Sequence, residues 1–231
     1  MSRSVSVLEY KVQQARFLLH EASKSTLNPF AAQCYFDAFA SSARSITFAV
    51  QSVLSDLPGF SDWYNEHQNA LRADPICQFF NQYRRISVHI GDTIVGGASR
   101  WRDEDGVLKT RYYFVPTQDL RDVPSEDVSS ICETYFVTLL DLVYDCMLHF
   151  KCQLDDRWYF TAAYFRSLNK VIEDAEEELG FPRGWTAVGD GLTEADRWRL
   201  LRKTQTIGCQ LNEQFSHYLG KTIPGPDDSC E

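Results

Sequence analysis

Between Ser125 and Cys152 the chain carries an apolar pattern that only a long, well-covered helix can satisfy. Val128, Ile131, Tyr135, Leu139, Leu142, Cys146 and Phe150 recur at spacings of three and four, and Phe136, Leu140, Val143 and Met147 widen the same face. A face this wide has to be buried, as the spine of a bundle or as the seam of a dimer. Glu133, Asp141 and Asp145 interrupt it, so no uncharged run reaches the roughly 18 to 20 residues that a bilayer requires. The pattern predicts a helix over 125–152 and no membrane segment.

Helical periodicity also governs the first ninety residues. Leu8, Val12, Ala15, Leu19 and Ala22 mark one face of a first helix. Asn28-Pro29 starts a second that runs to Leu54, Asn serving as cap and Pro as first residue, with Phe36, Phe39, Ala43, Ile46, Val50 and Val53 inward. After the turn Leu57-Pro58-Gly59-Phe60, Ser61 is placed to cap a third helix holding Trp63, Tyr64 and Leu71. A fourth follows Asp74-Pro75, with Ile76, Phe79, Tyr83, Ile86 and Ile90 on its stripe and Gly91 at its end.

The period then turns from helical to extended. β-Branched and aromatic residues in Thr93-Ile94-Val95 and in Val107 to Val115 flank the turn Asp103-Glu104-Asp105-Gly106. They predict a β-hairpin pairing 93–102 with 107–115, bulged at Gly96-Gly97. Beyond the long helix, 162–179 reads as helical, Gly180 to Gly184 as a break, and Thr193-Glu194-Ala195-Asp196 as a capping box that opens a last helix. Ile223 to Asp228 reads as a frayed tail. The expected fold class is therefore mainly α, a helical bundle with an inserted β-hairpin. Residues 1–152 would form the bundle and 153–231 a C-terminal helical extension packed on the same body.

Composition narrows the function classes. The 23 Lys and Arg against 32 Asp and Glu give a formal charge of −9, which disfavours a chain whose whole surface binds nucleic acid but leaves room for a local basic patch. The seven cysteines are scattered without Cys-x-x-Cys or zinc spacing, and read as reduced thiols on apolar faces. The N-terminus, soon meeting Glu9 and Lys11, lacks the apolar run of a signal peptide. A cytoplasmic location is expected. Ser/His/Asp and Gly-rich nucleotide motifs are absent, and neither a metal nor another cofactor is expected.

The chemistry-bearing stretch is Arg84-Arg85-Ile86-Ser87-Val88-His89, at the end of the fourth helix. Arg84 and His89, with four residues between them, resemble the signature of the HEPN superfamily (higher eukaryotes and prokaryotes nucleotide-binding domains). That signature is an Arg, four to six residues and a His on a helical bundle. Arg44 on a Phe-rich helix and the opening Asp62-Trp63-Tyr64 of the next are also similar to such proteins. The resemblance extends over residues 1–152 at most. It implies RNA or nucleotide binding and, where both residues act, metal-independent RNA cleavage in a homodimer, with Arg84 as phosphate clamp and His89 as acid and base. The chemistry suits them, since His titrates near neutrality and a guanidinium matches charge developing on a phosphoryl group. Arg85 stands where the family often has Asn, Asp or His. At about 100° per residue, positions five apart lie roughly 140° apart around a helix. One phosphate can meet both side chains only if the helix unwinds near Gly91 or a second protomer contributes.

The plainer alternative leaves Arg84 and Arg85 solvated or ion-paired and His89 set against the helix dipole. The hairpin supplies a second clue. Arg100, Trp101, Arg102, Lys109 and Arg111, with Tyr112 and Tyr113, interleave cations and flat rings as single-strand nucleic-acid surfaces do. Six Lys or Arg against four acids over 84–113 make that segment +2, leaving −11 elsewhere. Together with Arg85, the five hairpin residues named first are the expected nucleic-acid contacts; alternatively the hairpin is ordinary and its aromatics pack inward. The acidic run Glu173 to Glu178 reads as a solvated helix face rather than a divalent-ion site, and Arg197, Arg199, Arg202 and Lys203 as a basic surface face. Two functions remain. The first is a HEPN-like RNA- or nucleotide-binding protein, cleaving RNA as a homodimer if it is an enzyme. The second is a non-catalytic helical module with a protein partner, such as a nucleotidyltransferase-like protein.

Overall fold

The computed structural model describes residues 5–24, 27–89, 94–187, 191–205 and 209–226, with the side chains of 88, 89, 204 and 205 outside the description. The chain is mainly helical with a small two-stranded antiparallel hairpin. It divides into two compact units, Met1–Leu142 and Val143–Glu231; the boundary expected at 152 lies a few residues beyond the end of the long helix.

In the first unit, α1 (Ser6–Lys24) packs along α2 (Pro29–Leu54) through Leu8, Val12, Ala15 and Leu19. Asn28 caps α2 as its type dictates, its side chain accepting from the Ala31 amide at 3.1 Å. The third helix, α3 (Phe60–Ala73), starts one residue ahead of the expected cap. Gly59, at φ +80°, turns the chain, and buried Phe60 opens the helix with no side-chain cap. Asp74 does for α4 (Pro75–His89) what Asn28 does for α2, accepting from the Cys77 amide at 2.7 Å.

The hairpin pairs β1 (Val95–Arg102) with β2 (Leu108–Phe114), and its register slips between Val95 and Gly97, where Gly96-Gly97 predicted a bulge. A Cβ on Gly97 would stand 3.2 Å from the Tyr113 Cβ, so a side chain there would crowd the facing strand. Asp103 shapes the turn, its carboxylate accepting from the Val107 amide at 2.8 Å while Gly106 adopts φ +75°. The hairpin root is bolted to the helices. Phe114 lies 4.8 Å from Phe79 and 5.4 Å from Phe36, ring centre to ring centre. Tyr135, at the start of α5 (Val128–His149), stacks on Phe80 of α4 at 4.1 Å. Asp127 caps α5, and Phe150 ends it three residues short of the expected limit before a single helical turn, α6 (Lys151–Leu154).

The second unit holds α6, α7 (Asp156–Tyr159), α8 (Ala162–Ser167), α9 (Ile172–Glu178), a 3-10 turn at Trp185–Ala187, α10 (Glu194–Gln205) and α11 (Asn212–Leu219). Phe160, Phe165, Ile172, Trp198 and Leu201 form its core. Four sequence expectations are corrected here. The helix expected over 162–179 breaks at Asn169, whose left-handed φ of 56° the Asn side chain tolerates. The last helix is two, α10 and α11, the first opened by a Thr193–Asp196 capping box. The tail is held as far as Pro224: the Ile223 amide donates to Asn212 at 2.7 Å, and the Trp158 indole donates to the Pro224 carbonyl at 2.9 Å.

The fourth correction concerns one member of the acidic run, since Glu177 and Glu178 are exposed as expected and Glu176 is not. Glu176 is fully buried and accepts from the Thr186 amide at 2.8 Å, the Thr186 hydroxyl at 2.6 Å and the Gly184 amide. Arg197, half-buried, bonds Glu173 at 2.7 Å and donates to the Thr186 hydroxyl at 2.9 Å. Burial would raise the Glu176 pKa, but the bonds from Thr186, Gly184 and Arg197 outweigh it and hold the carboxyl below its usual range. Arg183 pairs with Asp174 and Glu177, and Lys170 with Glu178. Among the described residues no helix is long and apolar enough to cross a membrane.

Replacing Glu176 by Gln removes the charge facing Arg197 and sets an amide donor against the Thr186 and Gly184 amides. The expected cost is about 3 kcal/mol, read as a lower urea midpoint for the transition of this unit.

Candidate functional site

The side chains singled out by sequence fall on two faces of the first unit. On the helical side, Arg84 is half-buried near the end of α4, and its guanidinium carbon lies 6.0 Å from the centre of the Phe48 ring. Arg44, one turn before Phe48 on α2, covers the same ring at 4.7 Å. Two cations from two helices therefore share one exposed aromatic. Arg44 also donates to the Thr47 hydroxyl, while its Nε is buried without a hydrogen-bond partner. Arg85 is exposed and lines a separate depression of about 370 Å³ with Asn81, Gln82, Ile86 and Asp119.

α4 is helical through His89, so positions 84 and 89 lie roughly 140° apart around its axis. The His89 side chain itself lies outside the described residues, as do Ile90 and Gly91. α4 is fixed against α2 by Tyr83, whose hydroxyl donates to Asp37. Burial pushes the Asp37 carboxyl up to about 6.

A cavity of about 100 Å³ opens beside Arg44, lined by Thr47, Tyr64, Gln68, Leu71, Arg72, Cys77, Asn81, Tyr135 and Leu139 as well. No carboxylate stands among its lining residues. Gln51 donates to the Tyr64 hydroxyl at 2.9 Å, and the Thr47 side chain bonds the same hydroxyl. Burial raises the Tyr64 pKa, and the charges of Arg44 and Arg72 pull against that rise, so both guanidiniums act on this hydroxyl. Burial and the nearby Asp74 push the Cys77 thiol up to about 12, which keeps it neutral. The sequence offered no reason to pair Arg72 with Arg44. They lie on different helices, and no local spacing signals their convergence.

On the hairpin side, register sorts the predicted contacts. Trp101 opposes Lys109 and Ser99 opposes Arg111, so Trp101, Lys109 and Arg111 share one face with Tyr113. The Arg111 guanidinium sits 4.7 Å over the Trp101 ring, and Lys109 pairs with Asp103 at 3.4 Å. Arg100 and Arg102 lie on the opposite face, where Arg102 donates to the Gly106 carbonyl at 2.7 Å and braces the turn. Among the described residues no group of three or more His, Cys, Asp or Glu side chains stands close enough to hold a metal ion.

Residues 5–99, less than half of the chain, match the family model of bacteriophage lambda protein ea47. The matched segment contains Arg44, Arg72, Arg84 and Arg85 and ends before Trp101, Lys109 and Arg111. No curated protein and no solved structure gives a significant match.

The raised Asp37 carboxyl fixes the sign of one pH effect. A native state that holds this proton more tightly than the unfolded chain loses stability as pH rises from about 4 through about 6. Asp37→Asn removes that share of the dependence, so the stability difference between variant and parent moves in favour of the variant over this range in urea titrations at stepped pH.

Proposed function

We propose that the chain is a HEPN-like protein that binds RNA or a nucleotide in the cytoplasm and, as a homodimer, cleaves RNA without a metal through Arg84 and His89. The observation that carries the binding half is the hairpin face, where an arginine lies over an exposed tryptophan beside a lysine and a tyrosine. Single-stranded nucleic acid offers a charged backbone to such cations and base faces to such rings. Arg84 and Arg44 on Phe48 repeat the pairing of cation and ring on the helical side.

For cleavage, the 2′-hydroxyl beside the scissile phosphate attacks phosphorus as His89 takes its proton. His89 then passes that proton to the departing 5′-oxygen, giving a 2′,3′-cyclic phosphate and a 5′-hydroxyl. Arg84 stabilises the charge on the non-bridging oxygens. The angular separation of Arg84 and His89 on one straight α4 is why the reading needs a second protomer. It treats the two as a composite site, Arg84 from one protomer facing His89 from its partner.

A second reading, a non-catalytic module with a protein partner, is favoured by a different observation. Tyr10 and Phe17 on the outer side of α1 and Phe30 at the start of α2 are exposed to 60%, 59% and 74%. Apolar side chains this open are where partners dock.

Trp101→Ala is expected to weaken binding of a single-stranded RNA oligomer by about 5- to 100-fold, the worth of one stacked base, in fluorescence anisotropy at fixed salt. Incubation with RNA in chelator is expected to yield 2′,3′-cyclic ends, with His89→Ala slowing the cut by about 100-fold or more. Equal cutting by parent and variant rejects the catalytic reading. Absence of cutting together with loss of a partner on Phe30→Asp favours the second.

A further inference from the structure

We infer that the cavity beside Arg44 is a phosphate-monoester site, separate from the Arg84 and His89 pair. Its donors come from three helices. Arg44 and Thr47 are on α2, Tyr64, Gln68 and Arg72 on α3, and Asn81 on α4. Neither guanidinium has a carboxylate partner among the described residues, whereas Arg157, Arg166, Arg183, Arg197 and Arg199 of the second unit each have one. The buried Arg44 Nε has no acceptor at all, an uncompensated desolvation that an incoming oxygen relieves. The Tyr64 hydroxyl, bonded by Gln51 and Thr47, adds a polar wall to the cavity. Asp74, the nearest carboxylate that Cys77 and Tyr135 sense, is spent on capping α4 and does not line the cavity.

Size and charge select the ligand. A cavity of about 100 Å³ has room for one tetrahedral oxyanion. Two converging guanidiniums without a counter-charge favour a dianion, and a fork geometry suits the several oxygens of a monoester better than one carboxylate. Leu71 and Leu139 form apolar wall, which strengthens each charged bond by excluding water. The monoester is either free phosphate or the phosphorylated end of an RNA; the second source rests on the function proposed above, the first does not.

The full chain is titrated with inorganic phosphate at ionic strength held constant with chloride, reading the melting temperature and the ³¹P line width. Phosphate is expected to stabilise the parent, and Arg72→Gln, at an exposed position, to weaken its binding at least tenfold; Arg166→Gln in the second unit leaves it unchanged. Arg44→Gln is expected to act likewise, and Arg72→Gln carries the test if that variant folds poorly. No response of the parent, or an equal response of Arg72→Gln, overturns the site. RNA oligomers ending in 5′-phosphate, 3′-phosphate or hydroxyl groups then separate the sources. Tighter binding of a phosphorylated end, lost in Arg72→Gln, identifies RNA as the carrier. Equal binding of all three rejects an RNA end while leaving RNA binding itself intact. Phosphate binding without binding of any oligomer keeps the site for free phosphate and removes the RNA reading.

Discussion

The first unit depends on one aromatic cluster. Phe36 and Phe39 from α2, Phe79, Phe80 and Tyr83 from α4, Phe114 from the hairpin and Tyr135 from α5 meet ring to ring, at centroid distances between 4.1 and 6.5 Å. Every one of them is nearly or wholly buried. Each such side chain contributes about 1.5 to 3 kcal/mol by leaving water, and offset or edge contacts add to that. Helix and strand are therefore fixed against each other by side chains rather than by backbone pairing. The hairpin has only two strands, a form marginal in water by itself, and it persists because Phe114 anchors it.

The functional surfaces are consequences of that anchoring. With α4 held on α2, Arg84 is carried to the ring that Arg44 already covers, and Arg44 is left beside a cavity whose far wall comes from α3. With the root of β2 buried, the twist and pleat of the hairpin turn Trp101, Lys109 and Arg111 to one side. A chain of net charge −9 thus keeps arginines without carboxylate partners in the first unit, while the second unit ties its acids to its own cations through Arg197, Arg183 and Lys170. Net charge describes the average of these two arrangements and neither of them.

Much of the fold was legible because its signals are local. Asn28-Pro29 and Asp74-Pro75 mark helix starts through bonds made within three residues, and Gly96-Gly97 marks a bulge where a side chain would crowd the facing strand. The reading failed where distant partners decide. Glu176 looks like one more acid in a solvated run, yet it is buried because Thr186, Gly184 and Arg197 arrive from later in the chain to satisfy it. Ile223 looks like the start of a loose tail, yet Asn212 holds both its amide and its carbonyl. The same holds for the candidate site: Arg84, Arg85, Trp101 and Arg111 stood out by type and spacing, whereas Arg72 and Asn81 did not.

By itself the sequence determined the class of structure, mainly α with one inserted hairpin, since hydrophobic period and turn chemistry are properties of a few neighbouring residues. It also determined which cations and rings were available to a binding surface. Only the tertiary structure decided which of them meet. Register divided the five hairpin residues between two faces, and helix packing brought Arg44 and Arg72 to one cavity free of acid side chains. The physical reason is that charge and aromatic contacts act across a few ångströms of space, a distance that spacing along the chain does not encode.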